Sequence, residues 1–337
     1  MICEIIKKYQ SLNYLILGGD ISILSEEKHV MPNIDKYFNA VVKWLKPRLK
    51  TGHNTYTPPK NIFDGLDAFF ETATITINIT LMDVDTLSQQ SQTKPQKTPT
   101  LTNNGKLDNI DINISVTSNE KFLWFELASA FYHEMLHAYE DWNRIKKSGC
   151  LSNLASYMLA SNYSSINTIK SAPIDGAEEL GQILYLISKV EQRAYLNGCI
   201  GEYVEIMKIY PSWKGTKLEK IIKHLPSYSN YVKLDEYFNV LTGITNESTQ
   251  IALINLFNKY SGVIGYVNKE RLKLKRSDTF EDNSHNDFKI YKINTYNSLL
   301  KLLKRKIELS QENFISTINK VNVDALINNM QYIQQYD

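Results

Sequence analysis

The stretch FYHEMLHAYEDW, residues 131–142, is the most informative part of the sequence, because it contains the spacing H-E-x-x-H. On an α-helix, residues four positions apart lie on the same face, so His133 and His137 can bind the same metal ion. Glu134 lies about 100° around the helix from His133. It can reach a water molecule on that ion without being a ligand. The spacing predicts a Zn²⁺ site; the alternative is a solvated His/Glu/His face on a surface helix.

The residues around this motif predict one long helix that is capped by Ser118 or Asn119, carries Glu120 in its first turn, runs to about Lys147 and stops at Gly149. Apolar side chains recur along it at intervals of three and four, which predicts a continuous stripe packed on a sheet. This stripe consists of Trp124, Leu127, Ala128, Phe131, Met135, Ala138 and Trp142. The two histidines project from the opposite side.

The segments before this helix predict a sheet. Residues 72–82 and 109–117 alternate apolar and polar side chains, which is typical of half-buried strands. Between them, residues 83–107 are polar and without periodicity, and we interpret them as a flexible insertion. From residue 150 onward the patterns are helical. The predicted fold class is α+β, with a mixed sheet packed on the H-E-x-x-H helix in a domain over 1–210, followed by an α-helical region over 211–337.

A Zn²⁺ site needs a third protein ligand, and the best candidate lies in a second predicted helix, residues 175–198. Glu191 falls within the apolar stripe of that helix, four residues after Ile187 and three before Ala194. A buried carboxylate without a partner is costly, and a metal ion would neutralise it. The alternative is a glutamate paired with an arginine or lysine. Glu178 and Glu179 are weaker candidates, because the helix dipole already favours acidic residues near the helix start.

At these residues the chain resembles zincin metallopeptidases of the gluzincin type, whose ligands are two histidines and one glutamate. The sequence HEMLHAYED, residues 133–141, is similar to the HELxHAYD motif of the mitochondrial intermembrane-space processing peptidases. Glu191, Arg193 and Ala194 match the E-x-R-A pattern of that family. The resemblance covers roughly residues 70–200 and departs from the family by lacking its cysteine framework. The metzincin extension of the helix motif is absent.

This resemblance implies that His133, His137 and Glu191 are metal ligands and that Glu134 is the general base of peptide hydrolysis. Glu140, with Asp141 beside it, would lie next to the ligands and orient a histidine. The strand at 109–117 would pair with an extended substrate through its edge, with Ile112, Ile114 and Tyr195 as candidate substrate contacts. The expected cofactor is Zn²⁺, and the expected partner is a peptide or protein substrate.

Two other functions remain open from the sequence. The chain could be a structural or assembly protein of a bacteriophage particle built on a zincin fold, with vestigial or one-time proteolytic activity. Its C-terminal helices would then bind virion partners or further copies of the chain. It could also be a helical interaction protein in which the motif is accidental.

The composition bears on the partners, the disulfide content and the location of the protein. The net charge of +2 gives no argument for nucleic acid or an anionic membrane as the partner. The 3 cysteines do not form a disulfide framework or a zinc-ribbon spacing. We find no signal-peptide pattern and no apolar run long enough to span a bilayer. The expected location is the cytoplasm or, for the structural alternative, the virion.

Overall fold

A computed structural model describes residues 31, 33–63, 69–82, 96–101, 107–120, 122–148, 166–209, 218–260, 280–282 and 291–318. The described residues form two compact units. We call them the sheet unit, within Lys28–Asn153, Gln192–Tyr231 and Phe314–Asp337, and the helical unit, within Leu154–Glu191 and Val232–Asn313. The domain boundary predicted near residue 210 is a different division and stays a prediction.

The sheet unit is built on a four-stranded mixed sheet, which confirms the α+β class. Its strands are β1 (Gly52–Tyr56), β2 (Ala73–Leu81), β3 (Gln96–Leu101) and β4 (Leu107–Ser118), in the spatial order β1-β2-β4-β3. The central pair β2–β4 is parallel, whereas β1 and β3 each pair antiparallel to their neighbour. The strands predicted at 72–82 and 109–117 are therefore confirmed, as neighbours in one sheet.

The alternation of side chains explains which face of the sheet is buried. Ile75 pairs with Ile112 and Ile77 with Ile114, and all four side chains are buried. Full burial of such a side chain contributes about 1.5–3 kcal/mol. The other face carries polar residues that form a hydrogen-bonded ladder across three strands, from Thr55 to Asn78 to Ser115.

Strand β3 corrects the interpretation of residues 83–107 as a structureless insertion. Gln96–Leu101 pairs with β4 from Asn113 to Leu107, with a register shift at Thr100/Leu101. The sequence QKTPTL has no apolar alternation, and strand propensity is set largely by packing context, so its pairing with a neighbour decides its structure. Residues 83–95 and 102–106 of the predicted insertion lie outside the described residues.

Helix α3 (Leu123–Ser148) follows β4 directly and packs against β4 and β3. Asn119 lies at the start of the helix, where its side-chain oxygen accepts a hydrogen bond from the backbone N–H of Phe122. This is the contact predicted for a capping residue. The predicted apolar stripe faces the core, where Leu127, Phe131 and Met135 are fully buried.

Helix α1 (Ile34–Leu45) and helix α2 (Phe69–Thr72) complete this core with aromatic contacts. Phe38 of α1 lies 5.4 Å from Phe131 between ring centroids. Phe69 of α2 lies 5.8 Å from Trp142, near the other end of α3. Helix α1 ends at Leu45, and Lys46–Arg48 continues it as a short 3₁₀ turn containing Pro47.

The helical unit contains α4 (Ala177–Leu186) and the first residues of α5 (Lys189–Ile209), which continues into the sheet unit. The sequence predicted one helix over 175–198, but two helices form, because the helical conformation is interrupted at Ile187 and Ser188. Ser188 begins the second helix, because its hydroxyl oxygen accepts the backbone N–H of Glu191 at 3.3 Å. The sequence signal for this break is the capping pattern S-x-x-E at 188–191.

The remaining elements are mostly helical, as the patterns after residue 150 predict. They are α6 (Leu218–Ile221), α7 (Pro226–Val232), α8 (Leu234–Thr242), α9 (Glu247–Tyr260), β5 (Phe280–Asp282), β6 (Tyr291–Ile293) and α10 (Tyr296–Ile318). Helix α6 and residues 226–231 of α7 belong to the sheet unit. Within the described part of the chain, no helix combines the length and the apolarity needed to cross a membrane.

Candidate metal centre

The His133–Glu134–His137 motif lies in the middle of α3, and its nitrogen and oxygen atoms converge. The Nε2 atoms of His133 and His137 are 3.2 Å apart, and Oε1 of Glu134 is 3.5 Å from Nε2 of His133. Two nitrogens that bind one tetrahedral Zn²⁺ at 2.0–2.1 Å would be separated by about 3.3 Å. The imidazoles are therefore spaced as ligands of one ion would be. These three residues form a group that could hold a metal ion.

The group is largely enclosed. The side chains of His133 and Glu134 are 12% and 6% exposed, and His137 is buried as well. This differs from the solvated face that was the alternative interpretation of the motif. A carboxylate and two imidazoles placed together away from water favour a cation, because each offers a lone pair and the carboxylate adds a negative charge.

Helix α5 runs antiparallel to α3 along this group within the sheet unit. The contacts follow one another in opposite directions along the two helices: Gly201 with Ala128, Gly198 with Ser129, Tyr195 with His133, and Arg193 with Glu140. A β-carbon on Gly201 would lie only 2.8 Å from the carbonyl oxygen of Ala128. Glycine is therefore needed for the backbones to approach this closely.

Tyr195 lies against the group. Its ring centroid is 5.0 Å from that of His133 at an interplanar angle of 89°, an edge-to-face contact. Tyr195 in turn lies 6.1 Å from the ring of Tyr231 in α7. The tyrosine named as a candidate substrate contact thus packs on a motif histidine, and its role toward a substrate stays a prediction.

Glu140 is paired with Arg193 of α5. Nε and Nη2 of Arg193 donate hydrogen bonds to its two carboxylate oxygens at 2.6 and 2.8 Å. This paired geometry joins α3 to α5 at one end of the group. Glu140 thus binds Arg193, and its predicted role in orienting a histidine stays a prediction. The side chain of Asp141 lies outside the described residues.

Glu191, the predicted third ligand, is the last residue of the helical unit before α5 enters the sheet unit. Its side chain is 1% exposed, as the sequence predicted from its position in an apolar stripe. Within the helical unit, burial lowers the pKa of Lys170, and the charge of Glu191 opposes that shift. Lys170 is thus close enough to interact electrostatically with Glu191. The alternative interpretation, in which Glu191 is paired with a lysine, therefore remains open.

Ile112 and Ile114 do not line a surface. Both side chains are 0% exposed and stabilise the buried face of the sheet. Strand β4 also has partners on both sides from Ile110 to Asn113, with β2 on one side and β3 on the other. The expected free edge for a substrate along this stretch is wrong, because β3 occupies it.

A second polar cluster lies one turn before His133, and the sequence analysis missed it. The hydroxyl oxygens of Ser129 and Ser227 are 2.7 Å apart, and Ser227 donates its hydroxyl and backbone N–H to Glu202 at 2.6 and 3.0 Å. Burial raises the pKa of Glu202 from its ordinary value of 4.5 to about 7, although the hydrogen bonds from both serines lower it. The available signal was Glu202 itself, a glutamate eleven positions after Glu191 on the same helical face.

Comparison with known proteins adds no relative. No family model, no curated protein and no solved structure matches the chain.

Proposed function

We propose that the chain is a zinc-dependent peptidase of the zincin type, with Zn²⁺ bound by His133, His137 and Glu191 and with Glu134 as the general base. The observation that carries this proposal is the 3.2 Å separation of the two Nε2 atoms beside the Glu134 carboxylate. A surface histidine pair would not require this convergence or this burial.

Helical spacing supports Glu191 as the third ligand. Glu191, Tyr195, Gly198 and Glu202 follow one another at intervals of four, three and four residues, so they share one face of α5. Ser129, His133 and His137 share a face of α3 for the same reason. Within the sheet unit, Tyr195 lies against His133 and Gly198 against Ser129, so this face of α5 packs on the face of α3 that carries the histidines.

The chemistry follows from the residue types. A bound Zn²⁺ supplies a water molecule whose pKa is lowered to about 7 and an electrophile for the scissile carbonyl. Glu134 would accept the proton of the attacking water and return it to the leaving amine, which contributes about 10²–10⁴-fold in typical enzymes. The Glu134 side chain is only 6% exposed, so few water molecules compete with the attacking water for its carboxylate.

An extended peptide could pair with β3. Among the described strands, β3 has a neighbour on one side only, and α3 packs against it. Pro99 is paired with Ile110 of β4. Because proline has no N–H to donate, this position fits a non-hydrogen-bonded pair, in which the backbone groups of both residues point away from the neighbouring strand. Lys97 and Pro99 would then direct their carbonyl groups toward an added strand.

Metal analysis tests the proposed ligands. We expect one Zn²⁺ per wild-type chain, none after His133→Ala, and one after His53→Ala, since His53 is an exposed histidine bonded to Thr80. Glu191→Ala should lose most of the affinity. If Glu191→Ala kept wild-type affinity and lost only thermal stability, Glu191 would be a helix-capping or lysine-neighbouring residue and the ligand set would be wrong.

Activity tests the proposed base. Glu134→Gln should retain Zn²⁺ and lose cleavage of casein or a peptide library by about 10²–10⁴-fold relative to wild type. Equal activity of the two proteins would remove Glu134 from its role. If both bound Zn²⁺ and neither cleaved any peptide, the structural or virion-assembly alternative would become the better explanation.

A further inference from the structure

We propose that Ser227, held by Glu202, is a positioning residue that fixes the imidazole of His133 for metal binding. The inference rests on the proposed function for its purpose, but the contacts that carry it are independent of any metal. They run from Ser227 to His133 by two separate routes within the sheet unit.

The first route passes through Ser129. The carboxylate of Glu202 accepts both the N–H and the hydroxyl proton of Ser227. The hydroxyl oxygen of Ser129 lies 2.7 Å from that of Ser227, and Ser129 also hydrogen-bonds the Glu202 carboxylate, so Ser129 belongs to the same hydrogen-bonded cluster. Ser129 precedes His133 by four residues on α3, so the bond holds the helix on the turn that carries the imidazole.

The second route passes through two tyrosines. Ser227 lies in the first turn of α7, and Tyr231 follows it by four residues in the same helix. The ring of Tyr231 lies 6.1 Å from that of Tyr195, which lies 5.0 Å from that of His133. Tyr231 also stacks on Phe314 at 4.3 Å, so its other neighbours keep it in place. A change at the start of α7 is therefore passed to the imidazole through packed rings.

The close approach of α5 makes this junction possible. A β-carbon on Gly198 would lie 2.8 Å from the hydroxyl oxygen of Ser227 and 3.4 Å from that of Ser129. Three helices, α3, α5 and α7, therefore meet at one hydroxyl group. Ser227 is 7% exposed and Glu202 is 1% exposed, so bulk water does not replace these bonds readily.

The test compares Ser227→Ala with Ser298→Ala in the full-length chain. Ser298 is 9% exposed and is bonded to Thr295 in the helical unit, so its removal also deletes a buried hydroxyl. In the metal-free protein, we expect the ring-proton NMR signals of His133, assigned with His133→Gln, to move in Ser227→Ala and not in Ser298→Ala. The edge-to-face contact with Tyr195 makes these signals sensitive to ring position.

Metal binding provides the second measurement. At fixed pH, Ser227→Ala should bind Co²⁺ and Zn²⁺ about tenfold more weakly than wild type, with an altered visible spectrum of the Co²⁺ form. Glu202→Gln keeps an oxygen that accepts from Ser227 and should lose less affinity than Glu202→Ala. Ser298→Ala should match wild type.

The outcomes separate this inference from the proposed function. If wild type binds neither metal, the proposed function fails, and the NMR comparison still decides whether Ser227 positions His133. If Ser227→Ala has wild-type His133 signals and wild-type affinity, the inference is overturned. Ser129→Ala, which keeps the bonds between Ser227 and Glu202, gives the same decision for the first route if Ser227→Ala does not fold.

Discussion

The two ends of the α3–α5 pair are joined by different chemistry. At one end, Arg193 donates two hydrogen bonds to Glu140, and these side chains are 14% and 13% exposed. At the other end, Glu202 accepts hydrogen bonds from the backbone and hydroxyl of Ser227 in α7, and the Ser227 hydroxyl lies 2.7 Å from that of Ser129 in α3. His133 and His137 lie between the two ends.

The difference shows how a buried carboxylate can be compensated. A guanidinium supplies a full opposite charge in a geometry that matches both oxygens of Glu140. Amide and hydroxyl groups supply only dipoles, and the burial of Glu202 therefore raises its pKa to about 7. We expect that deleting the charge of Arg193 lowers the free energy of unfolding, whereas the contribution of Glu202 to that free energy changes with pH.

Deletion of Arg193 should have the largest effect on stability. Arg193→Ala leaves the mostly buried carboxylate of Glu140 without its guanidinium, and breaking such a pair costs about 3–5 kcal/mol. Urea unfolding measures the loss. The double variant Glu140→Ala/Arg193→Ala should be less destabilised than Arg193→Ala alone, because the isolated charge is gone. A loss below about 1 kcal/mol would indicate that the pair behaves as a solvent-exposed one.

The helix, the strands and the position of the motif follow from local patterns in the sequence. Alternation at 72–82 and 109–117 fixes which side chains are buried, and the 3–4 rhythm of α3 fixes which face packs on the sheet. His133 and His137 come together because four residues make about one helical turn. These relations need no knowledge of distant contacts.

Other features depend on contacts that no local pattern contains. Strand β3 is polar and acquires its structure from pairing with β4. The Ser129–Ser227 bond joins residues 98 positions apart, and neither serine stands in a motif. The break at Ser188 did have a local signal, the S-x-x-E pattern, but the apolar stripe continuing through Ile187 favoured one uninterrupted helix.

The pH dependence of stability sharpens the comparison at the Glu202 end. The folded chain binds the Glu202 proton more tightly than the unfolded chain, because the pKa is raised from 4.5 to about 7 on folding. The stability linked to this group is fully present below about pH 4.5 and is lost as pH rises toward 7. The loss should reach about 3 kcal/mol above pH 7.

Glu202→Gln should remove this dependence, since an amide does not titrate. Urea unfolding between pH 4.5 and 8 measures the slope for wild type and variant. The exposed Glu308→Gln serves as a control that keeps the wild-type slope. An unchanged slope in Glu202→Gln would show that the hydroxyl and amide donors compensate the charge as well as a guanidinium does, and the contrast between the two ends would disappear.

The smallest effect on stability is expected where α3 and α5 approach closely at Gly201. Gly201→Ala would place a β-carbon 2.8 Å from the carbonyl oxygen of Ala128 and 2.9 Å from the ring of Tyr132, so α3 and α5 must separate or the ring must move. Overpacking of this kind costs about 1–3 kcal/mol. Gly243→Ala is the matched control, because its β-carbon would meet nothing closer than 3.4 Å at a helical φ of −78°.

The two glycine variants also test whether the contacts of Glu202 and Arg193 depend on the close approach of α3 and α5 at Gly201. If α3 and α5 separate in Gly201→Ala, the nearby Ser129–Ser227 bond should weaken first, whereas the Arg193–Glu140 pair lies about two turns further along α5 and should persist. The pH slope assigned to Glu202 would then shrink in Gly201→Ala and remain in Gly243→Ala. A full slope together with a loss of 1–3 kcal/mol would mean that Tyr132 moves and the helices do not separate.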